Sequence, residues 1–488
     1  MAPDSARAHA LADLGIPGGG YTGVHWITDG LDLVVTDPED DSPIAHVHPA
    51  DPQEMSDAVT TVAAGLREPW ELWQRRETLE RASALLRDEH ERIARILSAE
   101  SSKTITEARR EASRAAETLR LSAAAAPLLE GETLPLSDSA RGSGRIGWNR
   151  REPLGVVAAI TPFNDPLNLV AHKVGPGLIA GNAIVLKPAA TTPLSALALV
   201  DVLLRAGMPA DRMAVLVGTR EASSVLVSDP RVAAVSFTGG PATGDVLARL
   251  AGARKILMEL GGNNAVVVCA DGDVAEASAA VVDGAFGVAG QNCLSVQRVF
   301  AHESVYDELV SRVVDGAERL RVGSKRDAET DVGPLITERE ARRVEDWVHE
   351  AVASGAVVRA GGTRRGAFYD PTVLVDVPED ARVMREEVFG PVVSIMSFTD
   401  LDEALGRVDD TEFGMQAGVY TSSLETALHT AERLHVGSVL INDTSDFRID
   451  AMPFGGPKRS GVGREGVASA VRELSEPKNV IINRAAIG

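Results

Sequence analysis

Cysteine is nearly absent: Cys269 and Cys293 are the only two in 488 residues. Two thiols cannot make a disulfide framework, and without a Cys/His cluster around them they cannot make a structural zinc site. His46 and His48 lie near Glu39, Asp40 and Asp41, a grouping that reads as a solvated strand edge, so no metal is expected. Basic charge is also short, with 49 Lys and Arg against 70 Asp and Glu and a net of −21. A surface that negative repels polyphosphate, which argues against nucleic acid as a partner, and an anionic substrate would need locally placed cations. No apolar run reaches the roughly 18 residues of a membrane-spanning helix. The opening Met1-Ala2-Pro3-Asp4-Ser5 has no basic segment followed by an apolar one, so no secretory signal is visible and a cytoplasmic location is expected.

What is present is ordinary and plentiful. Hydrophobic residues make up 44% and charged residues 24%, as in globular proteins. The length exceeds what one hydrophobic core organises, so two or three domains are expected. Up to about residue 125 the chain reads as largely helical, with charged amphipathic stretches over Glu71–Arg87, Asp88–Glu100 and Glu107–Leu121. From Pro153 the texture alternates. Gly155–Thr161, Asn182–Lys187, Met213–Val217 and Val232–Phe237 read as strands, with helices over Leu167–Leu178, Pro193–Ala206 and Ala242–Ala251 between them.

Lys255–Leu260, broken by Gly261-Gly262, reads as a hinge. A second alternating block follows, with strands at Ala265–Cys269, Arg298–His302, Pro391–Phe398, Gly418–Thr421 and Ser438–Asn442. Its helices fall at Val274–Phe286, Val305–Leu320, Glu338–Ala353 and Ser423–Leu434. Such alternation predicts an α/β fold of two doubly wound domains. Gly131–Glu152 and Glu476–Asn483 belong to neither block and read as a small β extension, pairing together or with another subunit.

Cys293 stands out for chemistry. It sits in Phe286-Gly-Val-Ala-Gly-Gln-Asn-Cys293, a glycine-flanked turn after a helix, where backbone N–H dipoles favour a thiolate. Cys269 lies in an apolar strand, where thiols are inert. Glu259, with apolar neighbours in Ile256-Leu-Met-Glu259-Leu, should have a raised pKa suited to a general base, although an ordinary ion pair reads as well. Asn164 follows the first strand of the α/β block, where its amide could serve an oxyanion or simply a turn. Phe237-Thr-Gly-Gly240 closes a strand and opens a helix, which suits a pyrophosphate. It is not a Walker A loop, since Asp245-Val246 stands where Lys-Ser/Thr is required. The literal G-x-G-x-x-G at Gly461, Gly463 and Gly466 has no apolar strand before it and too little chain after it for a βαβ unit.

In chain order, Thr161-Pro-Phe-Asn164, Leu186-Lys-Pro188, Phe237-Thr-Gly-Gly240, Met258-Glu-Leu-Gly-Gly262, Gly290-Gln-Asn-Cys293, Glu386-Glu-Val-Phe-Gly-Pro-Val392 and Pro453–Gly461 resemble the aldehyde dehydrogenase superfamily. The resemblance implies a Rossmann-like cofactor domain (1–130 and 153–260), a catalytic domain (261–460) and an oligomerisation extension (131–152 and 475–488). It implies a homodimer or homotetramer using NAD or NADP to oxidise an aldehyde. Cys293 would attack the aldehyde, Asn164 and the Cys293 N–H would hold the oxyanion, and hydride would pass to the nicotinamide. Glu259 would activate the water that hydrolyses the thioester, with Lys173 and Glu465 as its proton relay. The resemblance places Thr161, Pro162, Phe163, Lys187, Gly240, Gly261, Glu387 and Phe389 around the cofactor.

Two departures from the family pattern stand out. Ala190 replaces a glutamate that binds the adenine ribose in many NAD-preferring relatives, which leaves NADP open. Asp165, Asn168 and His172 fall on a helix where relatives often carry apolar groups, Asn292 precedes the cysteine, and Arg448 precedes Pro453. An apolar aldehyde would leave such groups unpaired, so the expected substrate is a small, polar, anionic aldehyde: a semialdehyde of a carboxylic, phosphonic or sulfonic acid. Thr-Pro-Phe-Asn-x-Pro-Leu-Asn is similar to the branch of phosphonoacetaldehyde and glyceraldehyde-phosphate oxidisers. Phosphonoacetaldehyde enzymes, however, carry His and Arg where this chain has Asp165 and Asn292. The competing readings are a CoA-acylating semialdehyde dehydrogenase, against which Glu259 speaks, and a non-catalytic cofactor-binding protein on the same fold.

Overall fold

The computed structural model describes residues 11–484; residues 1–10 and 485–488 of the segments delimited above lie outside the described residues. A six-stranded sheet contains β1 (Val156–Ile160), β2 (Ala183–Lys187), β3 (Met213–Val215), β4 (Val232–Thr238) and β5 (Lys255–Glu259). They lie in the order β5-β4-β1-β2-β3 and all run parallel. The chain winds outward from β1 in one direction and then returns to β4 on its other side. Between β1 and β4 lies the switch point outside whose carboxyl ends such sheets hold ligands.

The second sheet comprises β6 (Asn264–Val268), β7 (Val296–His302), β8 (Val357–Ala360), β9 (Thr372–Val375), β10 (Val392–Phe398), β11 (Gln416–Tyr420) and β12 (Ser438–Ile441). Their order is β8-β9-β10-β7-β6-β11-β12. Only β8 is antiparallel to its neighbour.

Burial on both faces explains the apolar strands. Ala159, Ile184 and Leu186 pack into one core and Val156, Ala158, Ile160 and Val185 into another. Ala265 and Val267 likewise face away from Val266 and Val268. Successive side chains point to opposite faces, so a strand covered by helices on both sides must be apolar throughout.

Four helices position the site: α1 (Ile105–Ala124), α2 (Asn168–Ile179), α3 (Pro241–Ala251) and α4 (Val274–Phe286). Thr104 and Glu107 form a capping box that starts α1. Asp273 accepts from the N–H groups of Ala275 and Glu276 to start α4.

Lys255–Glu259 is strand β5 rather than a hinge. Its register with β4 runs unbroken, and the Gly261-Gly262 break comes only after it. Strand β13 (Gly461–Val462) closes the first sheet, antiparallel to β5, so the G-x-G-x-x-G run begins in an edge strand and opens no βαβ unit. Arg145–Pro153 and Ser475–Asn483 pair with each other along their full lengths. His48 Nε2 lies 2.8 Å from Glu54 Oε1 and its Nδ1 lies 3.0 Å from the Gly30 carbonyl; no metal-holding cluster occurs among the described residues.

Candidate active site

Cys293 lies in the turn between α4 and β7, at the amino edge of the second sheet. That edge faces the carboxyl edge of the first. The turn is held in an unfavourable conformation, with φ values of 52° at Val288, 52° at Ala289 and 68° at Gly290. Left-handed backbone costs an L-residue about 1–2 kcal/mol, so the surroundings must hold it. The Glu107 carboxylate accepts the Val288 N–H at 2.7 Å. Gln291 donates to the Val288 carbonyl at 3.1 Å and accepts from the Ile336 N–H at 2.8 Å. Asn264 Nδ2 donates to the Cys293 carbonyl at 2.8 Å.

The turn alone favours a thiolate, but the surroundings of the half-buried thiol oppose it. Burial pushes its pKa well up and Glu387 adds to that, while Arg448 pulls the other way. Desolvation outweighs the dipoles of the turn.

Glu259, at the end of β5, has the raised pKa expected of it: burial is the main cause, the Glu465 charge adds, and Arg448 and Lys173 oppose. Its Oε1 accepts the Glu465 N–H at 3.1 Å, whereas its buried Oε2 has no partner among the described residues. Lys173 Nζ donates to Glu465 Oε1 at 3.0 Å and to Ser236 at 3.2 Å. Despite its own burial, Glu465 is held ionised by Lys173, His172 and Arg448. A buried carboxyl with a free oxygen beside an ionised partner binds a proton more readily than a solvated one, which suits a general base.

A cavity of about 280 Å³ opens at Cys293, bordered by Asn164, Asp165, Asn292 and Arg448, while Glu259, Lys173 and Glu465 stand outside its lining. One expected placement and two expected contacts need correction. Asp165 lies in the turn before α2, not on the helix, and forms ion pairs with Lys103 and Arg114. Asn168 and His172 are buried and do not border the cavity. Asn168 donates to Asp450 at 3.0 Å and accepts from Thr118 at 2.9 Å, and His172 Nε2 is 2.9 Å from Asp450. Asn168 is satisfied internally, whereas the buried His172 Nδ1 has no partner among the described residues; neither residue borders the cavity, so they do not by themselves demand a polar substrate.

The cavity's other charged residues went unread in the sequence. Lys103, Glu107, Arg110, Glu111 and Arg114 line it along one face of α1 and its approach. Their spacing of three and four was the available signal, but the segment read as a charged surface helix. Glu111 accepts from the Leu167 and Asn168 N–H groups at 2.8 and 2.9 Å, which fixes the start of α2 just after Asn164. Arg448 stacks 3.8 Å from the Phe454 ring centroid and reaches Glu465 at 3.3 Å.

Around the switch point, the hydroxyls of Thr161 and Thr238 are buried without a partner among the described residues. Lys187 ends β2, and its half-buried ammonium is pushed down by burial. Gly240 is exposed ahead of α3, and a Cβ there would meet nothing within 4 Å. Phe163 and Phe389 meet edge-on at 5.7 Å, and Pro162 lies between Thr161 and Phe163. Glu387, raised by burial to about 7, accepts the Gly262 N–H at 2.9 Å. A Cβ on Gly261 would lie 2.6 Å from that carboxyl, so a side chain there would displace it. Orphaned hydroxyls, a free ammonium and an open helix N-terminus at the switch point fit a phosphorylated dinucleotide.

A doubly wound sheet with those groups, facing a cavity with a thiol, defines a nucleotide-dependent oxidoreductase. The chain belongs to the aldehyde dehydrogenase family, whose model matches residues 26–480, and is an NAD(P)-dependent enzyme. It is 40% identical over 464 residues to a 3-sulfolactaldehyde dehydrogenase of Priestia aryabhattai, covering 95% of this chain and 97% of that one. It is similar to the structure of aldehyde dehydrogenase 21 from Physcomitrella patens in complex with the reaction product succinate. That match has a TM-score of 0.90 and 37% identity over 93% of this chain and 95% of the other. It is also similar to NADP-dependent glyceraldehyde-3-phosphate dehydrogenase from Bacillus halodurans complexed with NADP, with TM-score 0.93 and 32% identity over 96% and 99%. Among the described residues no helix is long and apolar enough to cross a membrane.

Proposed function

We propose that this enzyme oxidises a small anionic aldehyde to the free acid through a covalent adduct on Cys293. The observation that carries the reading is the buried Arg448 guanidinium on the wall of the cavity that holds Cys293. A fixed cation in a small polar cavity offers an anion the charge-assisted hydrogen bonds that a surface of net −21 otherwise denies it. The three relatives named above have a sulfonated, a carboxylated and a phosphorylated compound in their descriptions, all small anions.

In this reading the Cys293 thiol passes its proton to a water molecule of the cavity as Sγ attacks the carbonyl carbon, and the Asn164 amide and the Cys293 N–H hold the oxyanion. Thr161, Pro162, Phe163, Lys187, Gly240, Gly261, Glu387 and Phe389 hold NAD(P)⁺, which when bound supplies the hydride acceptor. Glu259 then takes a proton from the water that cleaves the thioester, with Lys173 and Glu465 fixing its charge environment. That base favours hydrolysis over transfer to CoA. Asp165 and Asn292 shape the cavity. Asn168 and His172 act from behind it, through Asp450.

The enzyme is taken as a cytoplasmic homodimer or homotetramer. Ile146 and Trp148 stand exposed on one face of the two-stranded extension, an apolar patch that a second copy would cover. Size-exclusion chromatography with light scattering checks this, and a monomer would contradict it.

The substrate test compares kcat/KM for sulfonated, phosphorylated and neutral aldehydes in wild type and Arg448→Met. Charge-assisted hydrogen bonds contribute about 1.5–3 kcal/mol, so the anionic-to-neutral ratio should fall roughly 10- to 100-fold. Taking the ratio cancels any effect of Arg448 on Glu465. A ratio unchanged by the substitution would overturn the anion assignment.

A further inference from the structure

The mechanism leaves the Asp446 carboxyl of the cavity unused. Asp446 borders the cavity on a segment whose inward side chains are all charged. Asp446, Arg448 and Asp450 turn in, while Phe447 and Ile449 are exposed at 45% and 52%. The segment is clamped to the cysteine turn. Ser445 Oγ donates to the Leu294 carbonyl at 2.9 Å, and Gln416 Nε2 donates to the carbonyls of Ser445 and Phe447 at 2.7 and 3.1 Å. Asn292 completes the clamp: its carbonyl oxygen accepts the Leu294 N–H at 3.1 Å, and its Nδ2 donates to Asp446 Oδ1.

Asn292 thus uses both its amide oxygen and its Nδ2 within the clamp, whereas Asp446 Oδ2 has no protein partner among the described residues. The residue that orients this carboxyl is bonded in the chain to Cys293 itself. Asp446 and Cys293 thus line one cavity, with the carboxyl fixed against the turn that carries the sulfur which would bind the aldehyde carbon.

We infer that Asp446, oriented by Asn292, is the binding residue for a hydroxyl on the carbon next to the aldehyde, so that the substrate is an anionic 2-hydroxyaldehyde. This rests on the aldehyde-oxidising reading above and makes its substrate class narrower. An ionised carboxylate beside the anion site would repel the substrate. Burial, with the nearby Asp283 charge, instead pushes Asp446 up to about 7. It can then stay neutral and donate to a hydroxyl oxygen, or accept from one. A substrate lacking that hydroxyl would leave the carboxyl facing apolar surface without a partner, the situation in which enzymes discriminate most strongly. Both 3-sulfolactaldehyde and glyceraldehyde 3-phosphate, the compounds in two relatives' descriptions, carry such a hydroxyl.

Four aldehydes separate the claims: 3-sulfolactaldehyde, its 2-deoxy counterpart 3-sulfopropanal, lactaldehyde and propanal. The hydroxyl effect is the kcat/KM ratio of each hydroxylated aldehyde to its deoxy partner, and the anion effect is the ratio of sulfonated to neutral. Wild type should favour the hydroxylated member of each pair at least tenfold. Asp446→Leu should bring that ratio to within a few-fold of one, and Asp446→Asn, which keeps the shape and one hydrogen bond, should retain part of it. The anion effect should survive both substitutions.

A hydroxyl ratio near one in wild type, or one unchanged in Asp446→Leu, overturns the inference. Loss of the anion effect alone, with the hydroxyl ratio intact and dependent on Asp446, sinks the Arg448 assignment and supports this one. Turnover of none of the four overturns both.

Discussion

Gly455→Ala perturbs the proposed base without removing it. Gly455 has φ of +129°, and a Cβ there would lie 2.7 Å from Glu259 Oε1 and 2.8 Å from Oε2. Ordinary contact begins at 3.4 Å, so relief by carboxyl movement alone requires 3.4 − 2.7 = 0.7 Å. The left-handed backbone adds strain of about 1–2 kcal/mol. A misplacement of about 1 Å in a reacting group can cost on the order of a hundredfold, so thioester hydrolysis should slow roughly 30- to 100-fold. The attack by Cys293 does not use Glu259 and should be largely spared.

Rapid mixing with excess aldehyde and NAD(P)⁺ should therefore give a burst of reduced cofactor, near one equivalent per active site, and then a slow steady state. Glu259→Gln marks the limit, with a comparable burst and a loss of about 10²–10⁴ in steady-state rate. Circular dichroism confirms that the variant is folded. A folded Gly455→Ala enzyme with wild-type kcat and no burst would refute the placement of Glu259 as the deacylating base. Equal slowing of burst and steady state would refute the division of labour.

Other outcomes follow from the same contacts. Asp450→Ala should cost about 3–5 kcal/mol in urea unfolding, because Arg114, Asn168 and His172 all lose their shared partner. Despite burial, His172 and Arg114 hold the Asp450 carboxyl far below its ordinary 3.8. Its stabilisation is therefore complete above that value and is lost as the pH falls below it, so the gap between wild type and Asp450→Ala should narrow in acid. Ala190→Glu, exposed just beyond β2, should lower kcat/KM for NADP⁺ against NAD⁺, since a carboxylate there would repel a 2′-phosphate. An unchanged NADP⁺/NAD⁺ ratio would remove Ala190 from the adenosine site.

Strands buried on both faces, such as β1 and β6, were legible because burial forces unbroken apolar runs. Edge strands were not. Val357–Ala360 is exposed at three of its four positions and carries a bulge, so neither alternation nor an apolar run marks it. The Gly261-Gly262 break made β5 look like a hinge, although its strand character was plain in Ile256-Leu-Met258.

Within the site, residues in distinctive turns (Asn164, Cys293) could be singled out from local sequence. Asp450 could not, because its meaning lies in Arg114, 336 positions away, and in His172, 278 positions away. The same long-range pairing misled the reading of Asn168 and His172, whose polarity answers to Asp450 rather than to the cavity. For Cys293, local turn geometry suggested a low thiol pKa, whereas the burial that raises it is a property of the assembled cleft.

The central claim is the covalent adduct on Cys293, and mass spectrometry of Glu259→Gln enzyme mixed with aldehyde and NAD(P)⁺ tests it directly. The account predicts a mass increase equal to the acyl group, mapped to the peptide containing Cys293 and absent in Glu259→Gln combined with Cys293→Ser. An enzyme that forms reduced cofactor with no acyl adduct, or that carries the adduct on Cys269, would contradict it.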